Sequence, residues 1–209
     1  YEMKGPSYSI IRCNYRGGVI TRFQPQNLPS DFSGFLPTRI IYREGRFYLV
    51  DKNLMKVAVT DMSGAYLDGY DLAALLGFDE KKRANTGIAG FHVDKEGNIL
   101  FTIPVQFQAY KLSPDRKIVS FGQRGSAPGK FNIVGCITSD ERGYLYLTDT
   151  LRCVVMVFDK DFKFLSQFSE RGYKPGYLIA PDEIAIDNRD RIYVTQAARK
   201  GVSVFKLTY

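Results

Sequence analysis

The chain writes one elbow twice, as FGQRGSAPGKF at Phe121–Phe131 and FSERGYKPGYL at Phe168–Leu178, with Phe, Arg, Gly, Pro and Gly recurring 47 residues apart. An internal repeat limits the fold more than any composition does, because each copy must build the same unit and bury its faces on its neighbours. The offset runs on past the elbow. ITSDERGYLYLTD (Ile137–Asp149) returns 47 residues later as IAIDNRDRIYVTQ (Ile184–Gln196), and 46 residues earlier stands FHVDKEGNILFTI (Phe91–Ile103). Further back lies RIIYREGRFYLVD (Arg39–Asp51). Each reads as strand, tight turn and strand: apolar runs rich in Ile, Val, Tyr and Phe, bounded by Asp and Gly. Asp94, Asp140 and Asp187 are placed to accept turn N–H groups, and Gly97 and Gly143 to supply a positive φ.

A second hairpin follows each first one: KVAVTDMSGAYLDGY (Lys56–Tyr70), QAYKLSPDRKIVSF (Gln108–Phe121) and VVMVFDKDFKFLSQF (Val154–Phe168). YSIIRCNYRGGVITRF (Tyr8–Phe23) matches only this second hairpin, and GVSVFKLTY (Gly201–Tyr209) only its first strand. Four antiparallel strands at a period of 46 to 52 residues predict an all-β chain, a β-propeller of four-stranded antiparallel blades. The Gly-Pro elbow then carries the chain from the outer strand of one blade to the inner strand of the next. The predicted organisation is a single propeller domain over 1–209. It has an outer half-blade at 8–23, full blades at 36–70, 88–121 and 134–168, and an incomplete last blade at 181–207. An inter-blade insertion lies at 71–87, where Leu72, Leu75 and Leu76 predict a short helix ending near Gly77.

Where the pattern is full it reads G-x-x-P-G-x-F, an inner strand ending in Asp, then G-x-[IL]-Y-[VL]-[TV]-D, then a strand ending in V-F-D. This resembles the NHL-repeat family of β-propellers, most closely over Phe121–Phe168. The absence of tryptophan sets the chain apart from WD and kelch repeats. Ile103 and Gln196 depart from the pattern, standing where Asp51 and Asp149 keep its aspartate. The resemblance implies a six-bladed ring, which at ~46 residues per blade asks for about 75 residues more than this chain. A closed four-bladed ring is the competing arrangement, with one strand surplus. The resemblance also implies an extracytoplasmic (periplasmic or secreted) protein.

Blade topology sorts the connections. Those between blades, and between second and third strands, fall on one side; the hairpin turns fall on the other. The first set carries Lys52, Lys56, Lys81, Lys82, Arg83, Arg124, Lys130, Arg152, Arg171, Lys174, Arg199 and Lys200 against seven acids, which accounts for +5 of the formal +7. A basic loop side points to an anionic partner. The binding set is Lys52, Lys56, Arg124, Lys130, Arg152, Arg171, Tyr173, Lys174, Arg199 and Lys200. Phe107, Tyr173 and Tyr177 are the aromatics that base stacking would use.

Catalytic chemistry has little to stand on. One histidine, His92, excludes multi-histidine metal sites and reads as a packed or channel-facing side chain rather than a general base. Its counterparts in the other blades are Ile40, Thr138 and Ala185. No glycine loop leads into a helix to cradle a phosphate, and no cofactor or metal is called for. Cys13, Cys136 and Cys153 are too scattered for a disulfide framework or zinc site; they read as three buried thiols, or as one bond and one free thiol. No apolar run reaches the ~20 residues of a membrane span. The expected function is a non-catalytic macromolecular scaffold that presents its basic loop side to a protein with an acidic surface. A propeller enzyme (lyase or metal-dependent hydrolase) with a central-channel site and an RNA-binding NHL domain are the alternatives.

Overall fold

The computed structural model describes residues 8–197 and 201–208. The chain divides into two compact units, Tyr1–Gly87 and Ile88–Tyr209.

The first unit contains the hairpin β1 (Ile10–Cys13)–β2 (Val19–Phe23) and one four-stranded antiparallel sheet. That sheet, blade 1, runs in chain order β3 (Arg39–Arg43), β4 (Arg46–Asp51), β5 (Lys56–Thr60) and β6 (Tyr66–Asp71). Tyr8, Ile10 and Phe23 pack the N-terminal hairpin onto Phe32, Phe35, Phe47 and Leu49. The predicted helix is α1 (Leu72–Leu75), capped by Asp71, whose carboxylate accepts the Ala74 N–H, and closed by Gly77 at φ 68°. A second helix, α2 (Glu80–Ala84), escaped the sequence reading. Its signal is Asp79, which accepts the Lys82 N–H as N-cap, but the five following residues show no apolar period to mark a packed face.

The second unit holds blades 2, 3 and 4. Blade 2 is β7 (Phe91–Val93), β8 (Ile99–Ile103), β9 (Gln108–Leu112) and β10 (Ile118–Phe121). Blade 3 is β11 (Val134–Ser139), β12 (Leu145–Asp149), β13 (Val154–Phe158) and β14 (Phe164–Phe168). Blade 4 has three described strands, β15 (Pro181–Ile186), β16 (Arg191–Gln196) and β17 (Val202–Lys206). The four-stranded antiparallel propeller blade is therefore the repeating element of the chain.

Burial explains why the first hairpins read so clearly. In blade 3 every residue of β11 and β12 is buried, whereas β14 is mostly exposed. Phe121, Phe131, Leu147, Met156 and Phe158 fill the space between blades 2 and 3. Cys136, Tyr146, Val155, Leu178, Ile184 and Val194 fill that between blades 3 and 4. Each large apolar side chain so buried contributes about 1.5–3 kcal/mol.

The turn chemistry follows the expectation. Asp94, Asp140 and Asp187 each accept two turn N–H groups at 2.8–3.0 Å, and Gly97 and Gly143 sit at φ 80° and 88°. Blade 1 differs. Its turn is the two-residue Glu44-Gly45, at φ 47° and 77°, with Arg43 paired to Arg46. The shorter loop moves the register by one: Ile41 faces Tyr48 as Thr138 faces Tyr146 and Ala185 faces Tyr193. The blade 1 counterpart of His92 is thus Ile41, not Ile40. The cysteines need a correction too. All three are free thiols, but Cys13 is exposed on the edge strand β1, and only Cys136 and Cys153 are buried.

Candidate functional site

The two elbows close identically. Arg124 bridges Phe131 and Arg171 bridges Leu178; the Phe131 and Leu178 N–H groups donate to Gln123 and Glu170, and both side chains are fully buried. Gly122, at φ 102°, lies against the Phe131 ring where a Cβ would collide, so its glycine is required. The aspartate ending the second strand ties each elbow down. Asp149 accepts from the Asn132 N–H at 2.7 Å and the Arg152 N–H at 3.0 Å, and Asp51 accepts from Leu36, Asn53 and Leu54. Gln196 keeps the acceptor despite the changed residue, taking the Ile179 N–H at 2.7 Å. Ile103 has no acceptor to offer and runs into a short 3-10 turn at Pro104–Gln106.

These ties set where the loop-side cations go. In the second unit, the Arg152 guanidinium donates to the Lys130 carbonyl at 3.1 Å and to Gln167 Oε1 at 2.7 Å. Arg171 donates to the Leu151 carbonyl at 2.8 Å. Arg124 lies over the Phe107 ring at 5.1 Å, so Phe107 already has a stacking partner. All three sit on neutral groups, which fix the side chain without cancelling its charge. The hairpin side is different. Arg142 pairs with Asp140 at 2.7 Å and Asp190 at 3.0 Å, Arg191 with Asp187 at 2.7 Å, and Lys117 with Asp115 at 2.7 Å. Burial works to raise the Asp187 carboxyl, but donors from Arg191, Arg189 and Tyr193 together outweigh it and hold the group well below the usual carboxylate range.

In the first unit two loop-side cations, Lys56 and Arg83, meet the carboxylate of Asp71. Lys56 reaches the Asp31 carbonyl, lies 3.8 Å from Asp71 and caps the Phe32 ring, and Arg83 pairs with Asp71 at 2.7 Å. Lys52 follows Asp51 on the same loop, and its N–H meets the Thr38 hydroxyl at 3.4 Å.

Tyr173 and Lys174 share a cleft of about 350 Å³ with Tyr177, Gln196 and Ser203. Tyr173 is 78% exposed. The Tyr177 hydroxyl is raised from its ordinary value by its hydrogen bond to Glu170 and by that carboxylate's charge. Lys130, whose N–H closes the first elbow on the Ala127 carbonyl, borders the Arg152 contact rather than this cleft. Arg199 and Lys200 lie outside the described residues.

Gly90, Cys136 and Glu183 stand at equivalent positions in blades 2, 3 and 4, and two of them are in contact. The Cys136 thiol donates to Glu183 Oε2 at 3.0 Å, and a Cβ on Gly90 would fall 2.7 Å from the Cys136 backbone. Sequence spacing gives the equivalence but not the contact between the two side chains. The threonines of the second strands fix these three positions. Thr102, Thr148 and Thr195 hydroxyls accept the N–H groups of Gly90, Cys136 and Glu183 at 2.8–2.9 Å. His92 is part-buried on β7, facing Leu100.

No family model matches this chain, and no curated protein does. Solved structures do. A streptogramin B lyase aligns with a TM-score of 0.58 at 16% identity, over 96% of this chain and 62% of the lyase. A catalytically inactive variant of virginiamycin B lyase from Staphylococcus aureus, solved with quinupristin, aligns at 0.56 and 13% identity, over 96% and 64%. A protein of unknown function from Bacteroides caccae aligns at 0.62 and 10% identity, over 92% and 66%. At such identities the likeness is one of fold: the chain is built as β-propeller proteins are. It spans less than two thirds of the length of each of these neighbours.

Proposed function

We propose that the chain is a non-catalytic binding scaffold, an NHL-like propeller whose loop side in the second unit docks an acidic stretch of a partner protein. The state of the cations carries this reading. Between 122 and 134, 149 and 153, 169 and 181, and 196 and 201 the sequence places seven basic residues and two acids. Of those acids, Asp149 is fully buried on backbone N–H groups. Arg124, Arg152 and Arg171 are fixed by neutral partners and keep their charge, so they supply a positive field. Tyr173 and Lys174 supply an exposed aromatic and a cation beside it. Such a field acts on encounter rate and orientation more than on raw affinity. The reading keeps a single domain over 1–209 within a six-bladed ring, which rests on the resemblance to NHL propellers. The extracytoplasmic location rests on the family resemblance alone.

The test is binding of a labelled glutamate-rich peptide, with a lysine-rich peptide and single-stranded RNA alongside. The glutamate-rich peptide is expected to bind and to weaken steeply with added salt. Joint replacement of Tyr173→Ser and Lys174→Glu should weaken it about tenfold, and Lys117→Glu with Lys163→Glu on the hairpin side should leave it unchanged. Equal loss from both variants defeats the proposal. Preferential RNA binding moves the function to the RNA-binding alternative.

Two structural neighbours are lyases, and this favours a second reading in which the chain belongs to a propeller lyase. His92 is the single histidine such chemistry could draw on. Turnover of quinupristin that is lost in His92→Ala would establish that reading.

A further inference from the structure

The aspartate that leads each inner hairpin turn keeps different company in blade 2. In blade 3, Asp140 Oδ2 takes the Arg142 guanidinium at 2.7 and 2.9 Å and the Tyr146 hydroxyl at 3.1 Å. In blade 4, Asp187 Oδ2 takes Arg191 at 2.7 Å and the Tyr193 hydroxyl at 3.0 Å. Asp94 is as buried as Asp140, at 6% exposure against 8%. Its Oδ1 accepts the Glu96 and Asn98 N–H groups, as the turn requires. Its Oδ2 accepts from the neutral Asn98 amide at 2.7 Å, and Glu96 draws on that same amide at 3.4 Å. Lys111 Nζ lies 3.9 Å from Asp94, beyond hydrogen-bond reach.

The cause is written in the repeat. Val93 faces Ile99 as Ser139 faces Leu145, so Glu96 stands in the place of Arg142 and Leu100 in that of Tyr146. A carboxylate buried to this degree is costly unless a charge-assisted donor meets it, and blade 2 carries neither the guanidinium nor the hydroxyl of its sisters.

The space that such an arginine occupies is open here. Between blades 3 and 4 the Arg142 guanidinium runs on from Asp140 to Asp190 at 3.0 Å. Between blades 2 and 3 the residues at those two positions are Glu96 and Gly143. A cleft of about 460 Å³ lies there, with Asp94, Glu96, Lys111, Gly143, Lys160 and Phe162 in its walls. That volume is within the range of about 300–1,000 Å³ that small-molecule sites occupy. Of the other cations on the cleft, Arg142 is held by Asp140 and Asp190, and Lys160 lies along Gly143 on the far wall, beside Asp161.

We infer that this cleft is a binding site for a small guanidinium compound, whose fork takes on Asp94 Oδ2 the place that Arg142 and Arg191 take on Asp140 and Asp187. Glu96 is the second acceptor. The planar fork of a guanidinium suits two neighbouring carboxylates better than the point charge of an ammonium does. The site lies among the hairpin turns, apart from the loop-side cations of the proposed docking surface.

The probe is L-arginine, titrated calorimetrically into the 209-residue protein, with L-citrulline alongside as its neutral ureido counterpart. Saturable binding of L-arginine is expected, with L-citrulline about tenfold weaker or worse. Glu96→Arg writes into blade 2 the residue that blade 3 carries. It should abolish L-arginine binding and raise the thermal midpoint, because the chain then supplies its own guanidinium to Asp94. Asp94→Asn keeps the acceptor for the turn N–H groups and removes the charge, and it should weaken L-arginine binding about tenfold. Unchanged affinity for L-arginine in either folded variant overturns the proposal, as do equal binding of L-citrulline and failure of the parent to bind L-arginine.

Discussion

The Thr148 hydroxyl donates to the Asp182 carbonyl of the next blade at 3.1 Å. The same oxygen accepts the Cys136 N–H within its own blade at 2.9 Å. One fully buried hydroxyl thus closes a bulge and links two inner strands. Thr102 repeats the arrangement one blade earlier, accepting from Gly90 and donating to the Gly135 carbonyl. The threonine of the Y-L-T-D run is therefore a pin between blades.

Thr148→Val keeps the shape and removes both bonds, which leaves the buried Cys136 N–H without its acceptor and the Asp182 carbonyl without this donor. The expected cost is about 2–4 kcal/mol, read as a lowered urea midpoint with an unchanged slope. Thr148→Ser should recover most of it.

The elbow acceptors separate in the same way. Asp149→Ala strips acceptors from Asn132 and Arg152 and should cost about 3 kcal/mol, whereas Gln196→Ala strips one from Ile179 and should cost about 1 kcal/mol. Equal costs from the two, by denaturant titration, would show that the elbows are held by packing instead.

Arg152 and Lys174 both belong to the binding set, yet they should behave differently. Arg152→Ala breaks the contacts to Lys130 and Gln167 and should lower the thermal midpoint by a few degrees, a loss of about 1 kcal/mol. Lys174→Ala should leave the midpoint where it is and weaken only partner binding. Calorimetry on the two variants decides this.

Asp187 makes stability depend on acid. Its folded carboxyl is held below the unfolded value of about 3.9, so its contribution is complete above that pH and fades as pH falls toward the folded value. Asp187→Asn should lower stability at pH 7 and flatten the decline between about pH 4 and pH 2. Denaturant midpoints across that range measure it, and an unchanged slope would mean that other carboxylates govern the acid limb.

Much of the architecture was legible because the inner hairpins of blades 2 and 3 are buried almost throughout and those of blades 2, 3 and 4 turn on side-chain acceptors. Both leave local marks: solid apolar runs at β8, β11 and β12, and Asp94, Asp140 and Asp187 at fixed offsets. Spacing alone could not reveal that a two-residue turn in blade 1 shifts its register to Ile41, because Ile40 and Ile41 are adjacent and both apolar, so the pattern reads equally well in either register.

For this protein the sequence by itself determined the four-stranded repeat, its turns and its elbows, since each is settled by contacts between residues close in the chain. It also assigned twelve basic residues to the connections between blades and between second and third strands. Only the tertiary structure decided which cations hold neutral partners, as Arg152 and Arg171 do, and which meet carboxylates, as Arg83 and Arg142 do. It decided as well that Cys136 meets Glu183 across 47 residues of chain. The reason is physical: a formal charge or a thiol is fixed by the residue type, but its partner is set by distances across blades, which local spacing does not encode.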